Sequence, residues 1–214
     1  MKNCKSAIIW LSIGHCICDI YGGFINPLMP FIASKLGFTM ALATVIVAIT
    51  QICSNMLQPV FGFFADNIFK RFFIFWGLIL ASLFIPMAAS APNIYSLIIF
   101  MILGCLGGSF FHPQSMGIIN LFSKENCANT MGVFVSLGSV GFAIGPLLAA
   151  YMMQAIGLES VSYASILGLF FAFTMFVFVP KLSNIEKKPK HKDFFESFKE
   201  ILSNSQMDFL ILVA

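Results

Sequence analysis

Asp19 is an acid inside an apolar run that extends from Ala7 to about Ile32, and His15 stands four residues before it. At that spacing the two side chains share one face of a helix. A second histidine, His112, is set in Gly107-Gly108-Ser109-Phe110-Phe111-His112-Pro113-Gln114. Gln51, Asn55 and Gln58 recur at helical spacing in another apolar run and make one polar stripe. Imidazoles and carboxylates take up and release protons, and amides both donate and accept hydrogen bonds. The chemistry open to these residues is proton binding and the holding of a polar solute in apolar surroundings. The structural alternative is a polar pair that ties one helix to a neighbour, and, at His112, a ring that satisfies the carbonyl freed by Pro113. A His-Asp-His metal site lacks an evident fourth ligand, so no metal is expected.

Composition says what those surroundings are. Of 214 residues, 59% are hydrophobic and 10% charged, and mean hydropathy is +0.93. Soluble domains are about 25% charged, so the chain reads as a membrane protein whose first partner is the lipid bilayer. The first apolar run is too long for the core of a signal peptide and lacks a small-residue cleavage site. The net charge of +3 comes from basic residues at the edges of apolar runs, and no nucleic-acid partner is expected. The cysteines fall in apolar runs (Cys16, Cys18, Cys53, Cys105) or in segments expected inside the cell (Cys4, Cys127), and neither place favours disulfides. No HExxH or nucleophile motif is present, and the loops are too short to build a hydrophilic active site. The chain is therefore not read as an enzyme, and no cofactor is expected.

Six spans position the polar residues. The first, Ala7 to about Ile32, exceeds the ~20 residues that cross a bilayer. Gly22-Gly23, Pro27 and Pro30 are expected to bend it. At ~1.5 Å per residue Asp19 lies about 18 Å along it, near mid-membrane, and His112 lies about 14 Å from the inner end of the fourth span, a depth like that of His15. The other spans are read as about Ala41–Phe64, Phe72–Ala89, Ile94–Leu121, Asn129–Met153 and Val161–Val179. Lys and Arg in short loops mark the cytoplasmic side. Lys2, Lys5, Lys70, Arg71, Lys124 and the run Lys181 to Lys192 all obey one assignment, with the N-terminus inside, and Lys35 alone falls in an outer turn. The chain divides into a six-helix bundle at 1–180, a cytoplasmic loop at 181–206 and the start of a seventh span at 207–214. Within the loop, Phe194, Phe195, Phe198, Ile201 and Leu202 oppose Lys192, Glu196, Lys199 and Glu200, an amphipathic pattern suited to the membrane surface or to a solvated linker.

Several stretches carry a resemblance. Gly62-Phe63-Phe64-Ala65-Asp66-Asn67-Ile68-Phe69-Lys70-Arg71 resembles the loop 2–3 signature of the major facilitator superfamily, matching at Gly62, Asp66, Lys70 and Arg71 and departing at Asn67 and Phe69. Gly14-His15 through Asp19-Ile20-Tyr21, the pair Gln51 and Gln58-Pro59, and Phe110-Phe111-His112-Pro113 together resemble the fosmidomycin-resistance group of that superfamily. Where that group usually has a glutamate after His-Pro, this chain has Gln114, which cannot titrate, so coupling falls to Asp19 and the histidines. Gly132, Gly141, Gly145 and Pro146 resemble the antiporter motif of drug–proton exchangers, with Ala149-Ala150 in place of the final glycines. Independently of any family, Gly141 and Gly145 form a GxxxG pair that lets another helix approach its backbone.

The resemblance implies an all-α membrane fold, the N-terminal six-helix bundle of a major facilitator, completed by a second six-helix half that the sequence does not contain. It implies proton-driven efflux of a small organic or drug-like solute by alternating access, in the cytoplasmic or inner membrane, and a link to antibiotic resistance. The alternatives are proton-coupled uptake of a sugar or organic acid on the same fold, and a membrane fragment that does not transport.

Overall fold

The computed structural model describes residues 2–67, 70–123 and 127–178, together with 196 and 199. The chain separates into two units, Met1–Lys181 and Leu182–Ala214. In the second only Glu196 and Lys199 are described, both helical. The amphipathic stripe of the expected cytoplasmic loop and the start of a seventh span at 207–214 otherwise lie outside the described residues.

The first unit is all-α: α1 (Lys2–Leu36), α2 (Met40–Asn67), α3 (Lys70–Met87), α4 (Ile94–Ser123), α5 (Cys127–Ile156) and α6 (Ala164–Phe178), with short 3-10 turns at Ala88–Ser90 and Leu158–Tyr163. Among the described residues six segments are long and apolar enough to cross a membrane, the last running from Leu158 to Val177. No strand occurs among the described residues.

Local chemistry sets the ends. Gly37, at φ 73°, takes the left-handed conformation that closes α1. The Leu42 N–H donates to Thr39 Oγ1 at 3.3 Å, which caps α2. Asn93 does the same for α4, its Oδ1 accepting from the Ser96 N–H at 2.9 Å. These caps leave a first turn of only Gly37–Thr39, and α1 runs as one helix through Pro27 and Pro30. The sixth span opens as a 3-10 turn because the Ser160 hydroxyl donates back to the carbonyls of Gly157 (2.7 Å) and Met152 (3.0 Å). Such local bonds compete with a regular helix start.

The helix α1 is the hub. It packs against α5, α3, α4 and α6, whereas α2 leans mainly on α4. Leu11, Phe24, Leu28 and Ile32 of α1 are fully buried. The pairings of α1 with α5 and of α4 with α2 exchange when helices 1–3 and 4–6 are swapped, an internal symmetry without a residue-level repeat in the sequence.

Two seams are cut by glycine. Between α1 and α5, a Cβ on Gly141 would collide with the Cys16 carbonyl, and one on Gly145 with the Ile20 carbonyl. From the other side, a Cβ on Gly23 would stand 2.7 Å from the Phe142 carbonyl oxygen. Pro146 has no N–H to offer that oxygen four residues back, so the freed carbonyl faces the bare backbone of Gly23. Close approach of this kind lets Cα–H groups contact carbonyls across helices. Between α3 and α4, Cβ atoms on Gly77 and Gly107 would stand 2.8 and 2.6 Å from each other's carbonyl oxygens.

Candidate functional site

The α1–α5 seam sets the position of the acid. Gly138, one turn before Gly141 on the same face of α5, lies directly over His15 and Asp19: a Cβ there would be 2.6 Å from Asp19 Oδ2 and 2.7 Å from His15 Nδ1. Without a side chain at 138, the two polar groups fit against the α5 backbone. They then find their partners there and on α4.

His15 Nδ1 lies 2.9 Å from the Phe134 carbonyl oxygen. A carbonyl only accepts, so Nδ1–H donates, which fixes the tautomer of the neutral ring. The opposite atom, Nε2, is 3.2 Å from Asp19 Oδ2. The second carboxylate oxygen, Oδ1, is 3.5 Å from Nε2 of His112 on α4. Rings frame the group: His15 stacks on Phe134 with centroids 4.0 Å apart, and the two imidazoles meet edge-on at 5.1 Å. One ligand atom from each of His15, Asp19 and His112 lies within 4.8 Å of the other two.

Asp19 and His112 open onto a cavity of about 260 Å³, and Gln51, Asn55 and Gln58 of α2 form its opposite wall with Ser54. The Gln58 amide donates to Asn55 Oδ1 at 3.1 Å, so the polar stripe read from spacing is a continuous surface. Ser54 anchors α2 to α4, donating to the Cys105 carbonyl at 2.7 Å, while Ser109 donates to the Ser54 carbonyl at 2.8 Å. Gly108 borders the His112 ring, where a Cβ would sit 3.5 Å away.

Seven residues are expected in a proton and solute pathway, and five of them line this cavity: Asp19, Gln51, Asn55, Gln58 and His112. His15 sits behind Asp19, buried, and touches the cavity only through it. Gln114 is buried and is not part of the cavity wall. Gly62 of the loop signature packs against Pro113, where a Cβ would meet the proline ring at 3.4 Å. The side chains of Asp66, Lys70 and Arg71 lie outside the described residues. In α5, Gly141 and Gly145 are in the seam with α1, but Gly132 is exposed and a Cβ there would meet nothing within 4 Å.

Two participants are absent from the sequence reading. Phe134 contributes a backbone carbonyl, and backbone acceptors have no residue signature. Gly138 has one: Gly138, Gly141, Gly145 and Ala149 follow helical spacing and all are buried, a stripe legible once Gly141 and Gly145 are taken as a packing face.

The description of the Major Facilitator Superfamily matches residues 11–214. Among curated proteins, the chain is similar to the Fosmidomycin resistance protein of Escherichia coli, 26% identical over 157 residues, covering 72% of this chain and 38% of that protein. It is similar to the Multidrug transporter protein MdtP of Bacillus subtilis, 27% identical over 146 residues, 68% of this chain and 27% of that one. The Quinolone resistance protein NorA of Staphylococcus aureus is 26% identical over 154 residues, 72% of this chain and 39% of its own length. The chain thus spans well under half the length of these relatives.

Proposed function

The chain belongs to the major facilitator superfamily, and from that premise we propose that it is the proton-binding half of an efflux antiporter for a small organic or drug-like solute. It works by alternating access with a second six-helix half, in the cytoplasmic or inner membrane, with its N-terminus inside. The observation that carries this reading is the carboxylate of Asp19 held between two imidazoles at the wall of a cavity that Gln51, Asn55 and Gln58 also line, within a membrane-spanning helix. An ionisable group at mid-membrane costs at least ~2.5–3.5 kcal/mol on insertion scales and characteristically marks an ion or substrate path.

The hydrogen-bond roles support a proton as the coupled ion. With His15 Nδ1–H donating to Phe134, the Nε2 of a neutral ring meets a carboxylate oxygen with a lone pair. Two acceptors repel, and one proton added between them turns the contact into a hydrogen bond. That proton neutralises or balances the site, and its loss leaves a repulsive contact. A site whose packing depends on one proton is suited to coupling proton movement to helix movement.

The cavity supports the solute half of the reading. Ligand sites usually measure ~300–1,000 Å³, so a recess of about 260 Å³ is what one half of such a site supplies. Its polar wall offers amides and a carboxylic acid, not a nucleophile or a cofactor cradle. Export is favoured over the uptake alternative by the resistance and multidrug names of the relatives.

Asp19→Asn tests the proposal, because asparagine keeps the shape of the side chain but cannot titrate. In proteoliposomes of the full-length protein with an imposed pH gradient, Asp19→Asn is expected to abolish concentrative flux while solute binding persists. Retained concentration of solute with unchanged pH dependence would move the coupling group elsewhere. The sign of flux in the wild type separates export from uptake.

A further inference from the structure

The same three side chains have a second use, which rests on the placement of the proposed coupling site but is read without measuring flux. We propose that His15, Asp19 and His112 form a three-ligand site for a divalent transition-metal ion of the Zn²⁺ or Co²⁺ type, with a further coordination position open to the cavity.

The lone pair on His15 Nε2 and the charge on Asp19 Oδ2 face each other at 3.2 Å, and any cation between them removes the repulsion. A proton is one such cation, but the spacing leaves room for a larger one. Charge-assisted N–H···O bonds close to ~2.7–2.9 Å. A tetrahedral ion ~2.0–2.2 Å from each donor instead holds neighbouring donors about 3.3–3.5 Å apart. His15 Nε2 is 3.2 Å from Asp19 Oδ2 and His112 Nε2 is 3.5 Å from Asp19 Oδ1, each close to that edge length but on different oxygens of the carboxylate. One ligand atom from each residue lies within 4.8 Å of the others, so a small inward turn of the side chains completes the set.

The surroundings fit as well. Metal-bound imidazoles nearly always donate their other N–H to a carbonyl or carboxylate, which orients the ring. His15 already does so through Phe134 at 2.9 Å. Two imidazoles and one carboxylate suit zinc, cobalt, nickel or copper, whereas magnesium and calcium prefer all-oxygen sets. Because Asp19 and His112 line the cavity, the remaining position is reached from it by water or by a donor atom of a solute. Three protein ligands with an open position is the pattern of exchangeable rather than structural sites. Metal binding needs both imidazole Nε2 atoms unprotonated, so the ion competes with the coupling proton.

The experiment is a Co²⁺ titration of the purified full-length protein, carrying no polyhistidine tag, in detergent at neutral pH. A visible ligand-field band that saturates at one ion per chain, and that Zn²⁺ displaces, is expected. The band should be lost in Asp19→Asn, His15→Gln and His112→Gln, each checked for an unaltered gel-filtration profile, and kept in His191→Gln, which removes the histidine outside the cluster. Absence of the band in the wild type, or its retention in any of the three cluster variants, overturns the site. Should a cluster variant aggregate, X-ray absorption of the Zn²⁺-loaded wild type decides: two imidazoles in the shell support the assignment, and fewer overturn it. Proton-driven flux without metal binding would sink this inference and leave the transport reading intact. Metal binding without proton-driven flux would do the reverse.

Discussion

His15 on α1 donates from Nδ1 to the backbone carbonyl of Phe134 on α5, 119 residues away, across 2.9 Å. This bond links the side chain that faces Asp19 at 3.2 Å to the backbone of the helix that carries the glycine seam. Carbonyls inside a helix normally accept from the N–H four residues on, so the His15 bond is an added, directional contact to one rung of α5. The His15–Asp19 pair and the α1–α5 seam are therefore directly joined.

His15→Ala removes this tie and leaves Asp19 with His112 alone. Transport should survive, because the carboxylate can still take a proton, but its pH profile should shift and lose steepness. Proteoliposome flux measured across a pH series checks this. An unaltered profile would mean that His15 only supports Asp19 sterically.

Gly138 and Gly132 make a matched pair on α5. In Gly138→Ala the new methyl falls 2.6 Å from Asp19 Oδ2, so His15 and Asp19 or the helix itself must move. Overpacking of this kind costs about 1–3 kcal/mol. A lower thermal midpoint in detergent and impaired coupling are expected together. In Gly132→Ala the methyl meets nothing within 4 Å, and both properties should match the wild type. A defect in Gly132→Ala equal to that in Gly138→Ala would place the working face of α5 elsewhere.

What the sequence could and could not reveal follows from where the information lies. The spans are legible because a run of some twenty apolar residues admits few other fates. The stripe Gln51, Asn55 and Gln58 is legible because helical spacing alone puts its members on one face, and they form one cavity wall. The meeting of His15 with Asp19 is local and readable from a spacing of four. That His112 joins them depends on how α4 lies against α1, and only equal depth hinted at it. The Phe134 carbonyl was unreadable, since any residue supplies one. Pro27 and Pro30 lie inside one continuous helix, Lys2–Leu36, so neither ends it. Gly132 matched a motif by spacing, yet its environment is open, since a motif records residue types and not which face they occupy.

The last prediction concerns sidedness, and Lys35 makes it sharp. By charge counting Lys35 is the one basic residue on the expected outer side, an exception to the preference for positive loops inside. The structure gives it a partner: Lys35 Nζ is 2.8 Å from Glu159 Oε1 and 3.4 Å from the Ala89 carbonyl oxygen. Ser90 extends the cluster to the 3-10 turn before α6 through the Glu159 carbonyl at 3.4 Å. The end of α1, the turn after α3 and the turn before α6 therefore lie at one end of the bundle, whatever the charge rule says. The positive charge there is offset locally, so Lys35 does not count against the orientation expected from Lys2, Lys5 and the basic run after Pro180. Asn93 follows the same turn after α3. Single cysteines placed at Asn93 and at Glu159, in a background without the native cysteines, should both react with a membrane-impermeant maleimide on intact cells, and a reporter fused after Lys188 should report from the cytoplasm. Labelling of only one of the two cysteines would contradict the shared end, and labelling of neither would invert the orientation and return Lys35 to the inner face.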